Sequence, residues 1–349
     1  MAKRVSNPPN PWDTTHVEWL GEPPAVRVEA FEERARSILS QNDSPDVPFR
    51  WSVNPYRGCQ HACAYCYARA SHQYLGYGAG TDFDSKIIVK TNAEQVLRRE
   101  LSRPSWKREW VAFSGVTDCY QPLEASYGIT RACLQACYEF RTPVGIVTKS
   151  ALVRRDIDLL LRFKRFCDPH IYLSIPFADA AGARGIEPGV SSPAARFETL
   201  RALSAAGLTT GVAIAPLIPG LNDAQVPEIL ERARDAGAQH AFTILLRLTG
   251  DVRPVFEERL RRAFPDRAGK VLRAHDELRA DQAASSEFGA RMVGAGPRWE
   301  NAQRLFEVHA RRLGFLTEPD LAEPSSLPGE GRAPGVRHGG RVSQPGLFD

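Results

Sequence analysis

The chain has 349 residues, with 45 lysines and arginines against 41 aspartates and glutamates, for a net charge of +4. That length can bury a sizeable core in one large domain or two ordinary ones, and so balanced a charge does not by itself announce a nucleic-acid partner. The 7 cysteines are odd in number and clustered, which suits a reducing cytosol better than a secreted disulfide framework. Met1 to Pro11 lacks the apolar run of a signal peptide, and no stretch approaches the ~18 apolar residues of a membrane span. The expectation is a soluble, cytoplasmic protein with no membrane partner.

Residues 1–48 are rich in Pro, Asn and Asp and read as an N-terminal extension, an extended arm with one helix near Val28 to Leu39. A strand over Phe49 to Val53 leads into a loop that holds three cysteines, with a helix starting inside it and running past Ala70. Leu75 to Thr81 is a glycine-rich turn, Ser85 to Lys90 is apolar and extended, and Asn92 to Leu101 has helical spacing with a cap at its start. A regular alternation follows. Strands are expected over Trp110 to Ser114, Val144 to Thr148, His170 to Ile175, Thr210 to Ala215 and Ala241 to Leu246. Helices are expected over Gly128 to Phe140, Arg154 to Phe166, Ala194 to Ala206 and Gln225 to Ala236.

Short apolar strands separated by amphipathic helices of ~10–15 residues mean a parallel sheet built from right-handed crossovers. With the strand before the cysteine loop there are six β/α units, too few for a closed eight-stranded barrel. The expected fold is therefore α/β, a partial (β/α)6 TIM-type barrel over residues 49–250. Helices over Val255 to Ala263, Gly269 to Leu278 and Asn301 to Leu313 form a C-terminal helical region, residues 251–316. Residues 317–349 are dominated by Pro, Gly, Ser and Glu and read as a disordered tail.

The chemistry centres on Cys59-Gln-His-Ala-Cys63-Ala-Tyr-Cys66. Thiolates are soft ligands for iron–sulfur clusters or zinc. A closed zinc site wants four ligands, and a ferredoxin-type cluster wants four cysteines in another spacing. Three thiols on a short loop leave one corner open, or else form a zinc knob with a distant fourth ligand, or a reduced buried trio. With Tyr65 before the last cysteine, the loop resembles the CxxxCxφC signature of the radical SAM superfamily. Asn54-Pro-Tyr-Arg-Gly-Cys59, Tyr65-Cys-Tyr-Ala-Arg69 and Phe113-Ser-Gly-Val-Thr-Asp118 are similar to the branch that contains spore photoproduct lyase.

The resemblance implies a [4Fe–4S] cluster on Cys59, Cys63 and Cys66, with one iron left for S-adenosylmethionine. It also implies one-electron cleavage of that cofactor to a 5′-deoxyadenosyl radical, with an external donor such as flavodoxin or ferredoxin. Polar residues at the C-terminal ends of parallel strands point into such a site. By resemblance, Ser114, Thr117 and Asp118 lie by the methionyl amino group, and Lys149 suits the carboxylate. Ser174 is similar to a ribose or methionine contact, Tyr65 to the aromatic beside the adenine, and Asn222 lies in the turn by the adenine and methionine. Each has a plainer reading: Asp118 and Asn222 as helix or turn caps, Lys149 as a solvated lysine, Ser174 as a core hydroxyl, Tyr65 as packing.

Photoproduct lyases use a cysteine to quench a substrate radical. Ser114 stands at the matching place here, and Cys119 is the candidate to substitute for it. Cys133 and Cys137, four apart on one helix, and Cys167 read as core.

The substrate is less legible. The branch points to damaged or modified DNA, with RNA or a peptide as the alternative within the same chemistry. Gln344-Pro-Gly-Leu-Phe348 resembles the short peptide by which bacterial proteins dock on the DNA sliding clamp, although Pro345 departs from its usual second position. A non-catalytic, metal-bearing accessory protein of that clamp is the reading from a different class. Arg253 to Arg273 carries seven basic residues against three acidic, a phosphate contact or a solvated face.

Overall fold

The computed structural model describes residues 27–47, 49–279 and 294–317. The tail expected over residues 317–349, with its Gln344 to Phe348 peptide, lies outside the described residues from residue 318 on. So does most of the expected N-terminal arm.

The chain opens with strands β1 (Glu29–Glu33), β2 (Leu39–Gln41), β3 (Trp51–Val53) and β4 (Tyr56–Arg57). A 3₁₀ turn over Tyr67–Leu75 and helix α1 (Thr81–Ser85) precede β5 (Lys86–Lys90) and α2 (Ala93–Leu101). Then come β6 (Val111–Phe113), α3 (Glu124–Tyr127), α4 (Ile129–Glu139), β7 (Val144–Thr148), α5 (Ile157–Phe163) and β8 (His170–Ser174). They are followed by α6 (Ala180–Ile186), α7 (Pro193–Ala205), β9 (Thr209–Leu217), α8 (Val226–Asp235) and β10 (His240–Leu245). Helices α9 (Val252–Ala263), α10 (Pro265–Arg279) and α11 (Pro297–Arg312) end the described chain.

Seven strands form one sheet in the order β10-β9-β8-β7-β6-β3-β2. All neighbours are parallel except β2, which runs antiparallel to β3. The six parallel strands are the six expected units, and among the described residues β10 does not pair with β2, so the sheet stays open as a partial barrel. The outer edge of β10 is covered by the chain after α11, where Leu316 bonds Gln239 and Ala241 across a single bridge to His240. Covering an edge in this way removes a template for intermolecular pairing.

The apolar runs of β6 to β9 are buried on both sides, as parallel strands between helices require. The main core joins the sheet to the inner faces of α2, α4, α5, α7, α8 and α11. A second cluster, with Ala64, Phe177, Ile186, Ile218, Leu246, Phe256 and Val271, packs α6, α9 and α10 against the cysteine loop. Among the described residues no helix is long and apolar enough to cross a membrane.

The helix expected near Val28 to Leu39 is a correction: this stretch forms strands β1 and β2. Tertiary partners decide it. β1 pairs in parallel with β5, within a small sheet ordered β1-β5-β4. Asn92 clasps both backbone groups of Ala35, at 2.7 and 3.0 Å. Glu100 accepts from the Ile38 and Leu39 amides at 3.1 and 2.9 Å and from Ser37 Oγ at 2.6 Å. Backbone groups satisfied from α2 have no need of a helix.

Candidate active site

The cysteine loop leaves the C-terminal end of β3 and is held from four sides. On the first, the Cys59 amide donates to Phe83 O at 2.9 Å, and Gly58, at φ +76°, lies where a Cβ would come within 2.9 Å of Phe83 O and His72. Only glycine meets both conditions. On the second, the loop after β6 is stitched to it. Thr117 Oγ1 donates to Gly58 O at 2.8 Å, the Gln60 amide donates to Gln121 Oε1 at 3.0 Å, and Asn54 Oδ1 receives the Gly115 and Val116 amides at 3.0 and 2.8 Å.

On the third side, the end of α6 lies against the loop. The Ala64 amide donates to Ile186 O and the Gly189 amide to His61 O, each at 3.0 Å. The fourth hold is Arg69, a fully buried guanidinium beneath the loop. It donates to Cys63 O twice, at 3.0 and 2.8 Å, to Ala79 O and Gly80 O at 2.9 Å, and to Asp84 at 2.8 Å.

Cys59 and Cys63 are 6% exposed and Cys66 is half-buried. Burial first, then neighbouring charge, pushes the Cys63 thiol up, and burial with Cys59 pushes Cys66 up to about 11. Among the described residues no three His, Cys, Asp or Glu side chains converge as they would around a single metal ion. Three thiols on one tightly held loop, with no fourth cysteine near them in sequence, are the donor set of an iron–sulfur cluster that leaves one iron without a protein ligand. The residues present therefore fit a cluster with one iron left open.

Lys149 follows β7 and is 14% exposed. Its ammonium donates to Ser174 Oγ at 2.6 Å, lies 3.0 Å from Glu187 and sits 5.5 Å over the Tyr65 ring. Glu187 is buried and also receives the Tyr65 hydroxyl, and Arg196 at 2.9 Å. Arg196 is buried too and donates to Ser174 O at 2.6 Å. Burial works to raise the Glu187 carboxyl, but Lys149 and Arg196 outweigh it and hold it below the usual range. Two cations against one carboxylate leave one positive charge beside the cysteine loop. The structure thus brings Tyr65, Lys149 and Ser174 together, and adds Glu187 and Arg196, which sequence reasoning missed.

Asp118 is placed differently from a free ligand. It accepts from Thr148 Oγ1 at 2.7 Å, the Lys149 amide at 2.8 Å and the Tyr120 amide at 2.9 Å, and lies 3.2 Å from His61 Nδ1. Burial opposes a charged His61, but Asp118 outweighs it and pushes the imidazole up to about 10. Asp118 therefore ties the cysteine loop to the end of β7. Ser114 ends β6 in the left-handed region at φ +81°, an uncommon conformation for a side-chain-bearing residue, and its Oγ receives the Cys119 amide at 2.9 Å.

Cys119 itself is fully buried in the main core, and burial pushes its thiol well up. Asn222 is fully buried as a staple of the turn after β9: it receives the Ile218 amide at 2.6 Å and donates to Pro176 O at 2.7 Å and Pro216 O at 3.0 Å. Cys133 and Cys137 lie in the core, as expected.

The radical SAM superfamily profile matches residues 53–233. An uncharacterized protein of Mycobacterium tuberculosis is 40% identical over 222 residues, which is 63% of this chain and 65% of that relative's length. The match thus covers less than two thirds of that relative. A radical SAM Nalpha-GlyT isomerase of Pseudomonas phage M6 is 26% identical over 324 residues, 91% of this chain and 64% of that protein. Spore photoproduct lyase complexed with dinucleoside spore photoproduct superposes with a TM-score of 0.56 at 17% identity, over 82% of this chain and 81% of that one, a likeness of fold. The superfamily uses a [4Fe–4S] cluster and S-adenosylmethionine. With the profile spanning the cysteine loop and the strands β6 to β9 that follow it, the chain belongs to the radical SAM superfamily.

Proposed function

We propose that this protein is a radical SAM enzyme that acts on a damaged or modified nucleotide, in the manner of photoproduct lyases. The observation that carries the reading is the cysteine loop itself: three thiols held from four sides, beside a buried cationic group of Lys149, Glu187 and Arg196. Cys59, Cys63 and Cys66 would hold the cluster. When bound, the cluster and S-adenosylmethionine supply reductive cleavage of the sulfonium bond to a 5′-deoxyadenosyl radical.

The chain's own residues orient and exclude. Lys149 is the cation for the cofactor's carboxylate, because Glu187 and Ser174 fix its ammonium while Arg196 offsets the Glu187 charge. Tyr65 lies between the cluster loop and Lys149 and walls that side. Asp118, through the Lys149 amide and Thr148, sets where the lysine leaves β7. Thr117 and Asn222 act on the backbone, by fixing the Gly58 carbonyl and the turn after β9.

The nucleotide substrate is supported by two likenesses: the phage relative is named for Nalpha-GlyT, and the photoproduct lyase structure holds a dinucleoside photoproduct. An external one-electron donor of flavodoxin or ferredoxin type belongs to the same reading, as does docking on the DNA sliding clamp through Gln344 to Phe348. A reducing cytoplasm suits 7 cysteines that are all unpaired. The test is hydrogen exchange: reconstituted protein, dithionite and S-adenosylmethionine labelled at the 5′ carbon are incubated with photodamaged or enzymatically modified DNA. Label in a nucleotide supports the reading. With RNA and peptide offered in parallel incubations, label in either of them and none in the DNA overturns the substrate class.

A further inference from the structure

A recess of about 660 Å³ opens at the N-terminal ends of β6 and β7. It lies at the opposite ends of those strands from Ser114 and Lys149, and a five-residue strand spans ~16 Å. Arg103, Lys107, Arg108 and Arg141 line it. All four are exposed, and among the described residues none of their side chains has a hydrogen-bond or ion-pair partner. The one carboxylate of the lining, Glu139, is already held by Arg98 and Gln135.

Backbone conformation adds a second observation. Helices α7, α8 and α11 each end with a left-handed glycine, Gly207, Gly237 and Gly314, followed by a residue whose amide reaches back five positions: Leu208 to Leu203, Ala238 to Ala233 and Phe315 to Ala310. This is the helix-ending motif for which glycine is the unstrained residue. Helix α4 ends in the same motif, with Thr142 bonded to Cys137 O at 2.9 Å, but its left-handed residue is Arg141, at φ +51°. Arg108 is also left-handed, at φ +56°. Two of the four cations thus occupy positions where the backbone favours glycine.

We propose that this recess binds the phosphate backbone of a nucleic acid, at a site separate from the cysteine loop. Unopposed cations around a concavity focus a positive potential that draws a polyanion. A small anion would call for convergent buried donors, and these cations are spread and exposed, with Arg141 lying over the Phe166 ring. A protein partner would call for a large apolar anchor, and the apolar lining here is confined to Leu101, Pro104, Trp106 and Phe140. Trp106 is engaged by Thr142 and Trp51, so the recess offers its cations to the backbone rather than that ring to a base. The proposal stands on the recess alone and does not depend on the chemistry at the other end of the strands.

The test uses the full-length, cluster-reconstituted protein and a fluorescent duplex of about 30 base pairs, titrated by anisotropy between about 50 and 200 mM salt. Replacing all four residues with glutamine should weaken binding and lower the slope of log K against log salt by about 3.6, at ~0.9 per phosphate. Arg141→Gly alone should lower the slope by about 0.9 while raising the thermal midpoint, which separates lost binding from lost folding. S-adenosylmethionine cleavage in the variants should be unchanged. An unchanged slope and affinity in the fourfold variant would overturn the proposal. So would competition by pyrophosphate or polyglutamate as effective as that by unlabelled duplex, since these would mark a small-anion or an acidic-protein site.

Discussion

Replacing Arg69 with methionine removes the support under Cys63, and the size of the effect follows from its contacts. Arg69 is 0% exposed and its guanidinium faces the equally buried Asp84. Removing one partner of a buried pair costs roughly 3–5 kcal/mol. The carbonyls of Cys63, Ala79 and Gly80 also lose their donor, and each unsatisfied buried group costs about 1–3 kcal/mol. The expected loss at pH 7 is therefore at least about 6 kcal/mol, a large share of the ~5–15 kcal/mol that holds a domain folded.

Asp84 supplies a second handle. Burial pushes its carboxyl up to about 6 even though Arg69 opposes the shift. A folded-state pKa raised above the unfolded one means that the ionised form is disfavoured in the fold, so stability is gained as pH falls through about 6 toward the ordinary carboxylate range. Without Arg69 that carboxyl rises further. The Arg69→Met deficit should then be larger at about pH 7 than at about pH 5, where Asp84 is protonated in both proteins. The double variant Arg69→Met, Asp84→Leu should recover about 3 kcal/mol, the charge part only. Urea unfolding of the cluster-free protein at the two pH values measures all three quantities. A deficit under about 1 kcal/mol at pH 7, or one equal at both pH values, would refute the reasoning.

Other expectations follow from single contacts. Asn222→Ala leaves the Ile218 amide and two proline carbonyls unpaired in a fully buried turn, so thermal unfolding should show a loss of roughly 2–4 kcal/mol. Lys149→Met removes the cation assigned to the carboxylate while Glu187 keeps Arg196. Equilibrium dialysis should show S-adenosylmethionine affinity down ~10- to 100-fold with iron content unchanged. Gly145→Ala would set a Cβ 1.8 Å from the Trp110 ring inside β7, so calorimetry should show a loss of at least about 1–3 kcal/mol.

Sequence and structure agree where the signal is local. Val144–Thr148 is a strand at the expected bounds because an apolar, β-branched run between helices has few other uses. The three thiols are legible because their spacing is itself the chemistry. What was not legible depends on partners far along the chain. Val28, Phe31 and Ala35 have helical spacing, yet the stretch is extended because Asn92 and Glu100 satisfy its backbone. Glu187 gives no signal of its own, and only the fold brings it to Tyr65 and Lys149. Asp118 stands out as a polar residue at a strand end, but its partners His61 and Thr148 come from two other elements, so the tie it makes between loops is visible only in the fold. Cys119 follows the same lesson: adjacent to Asp118 in sequence, it packs into the core behind it.

The most direct measurement is anaerobic reconstitution of the full chain, with metal and sulfide analysis before and after dithionite and S-adenosylmethionine are added. The account predicts about four irons and four sulfides per chain and formation of 5′-deoxyadenosine, all lost when Cys59, Cys63 or Cys66 is replaced by alanine. About one zinc per chain with no sulfide, or a full cluster that forms no 5′-deoxyadenosine, would contradict it.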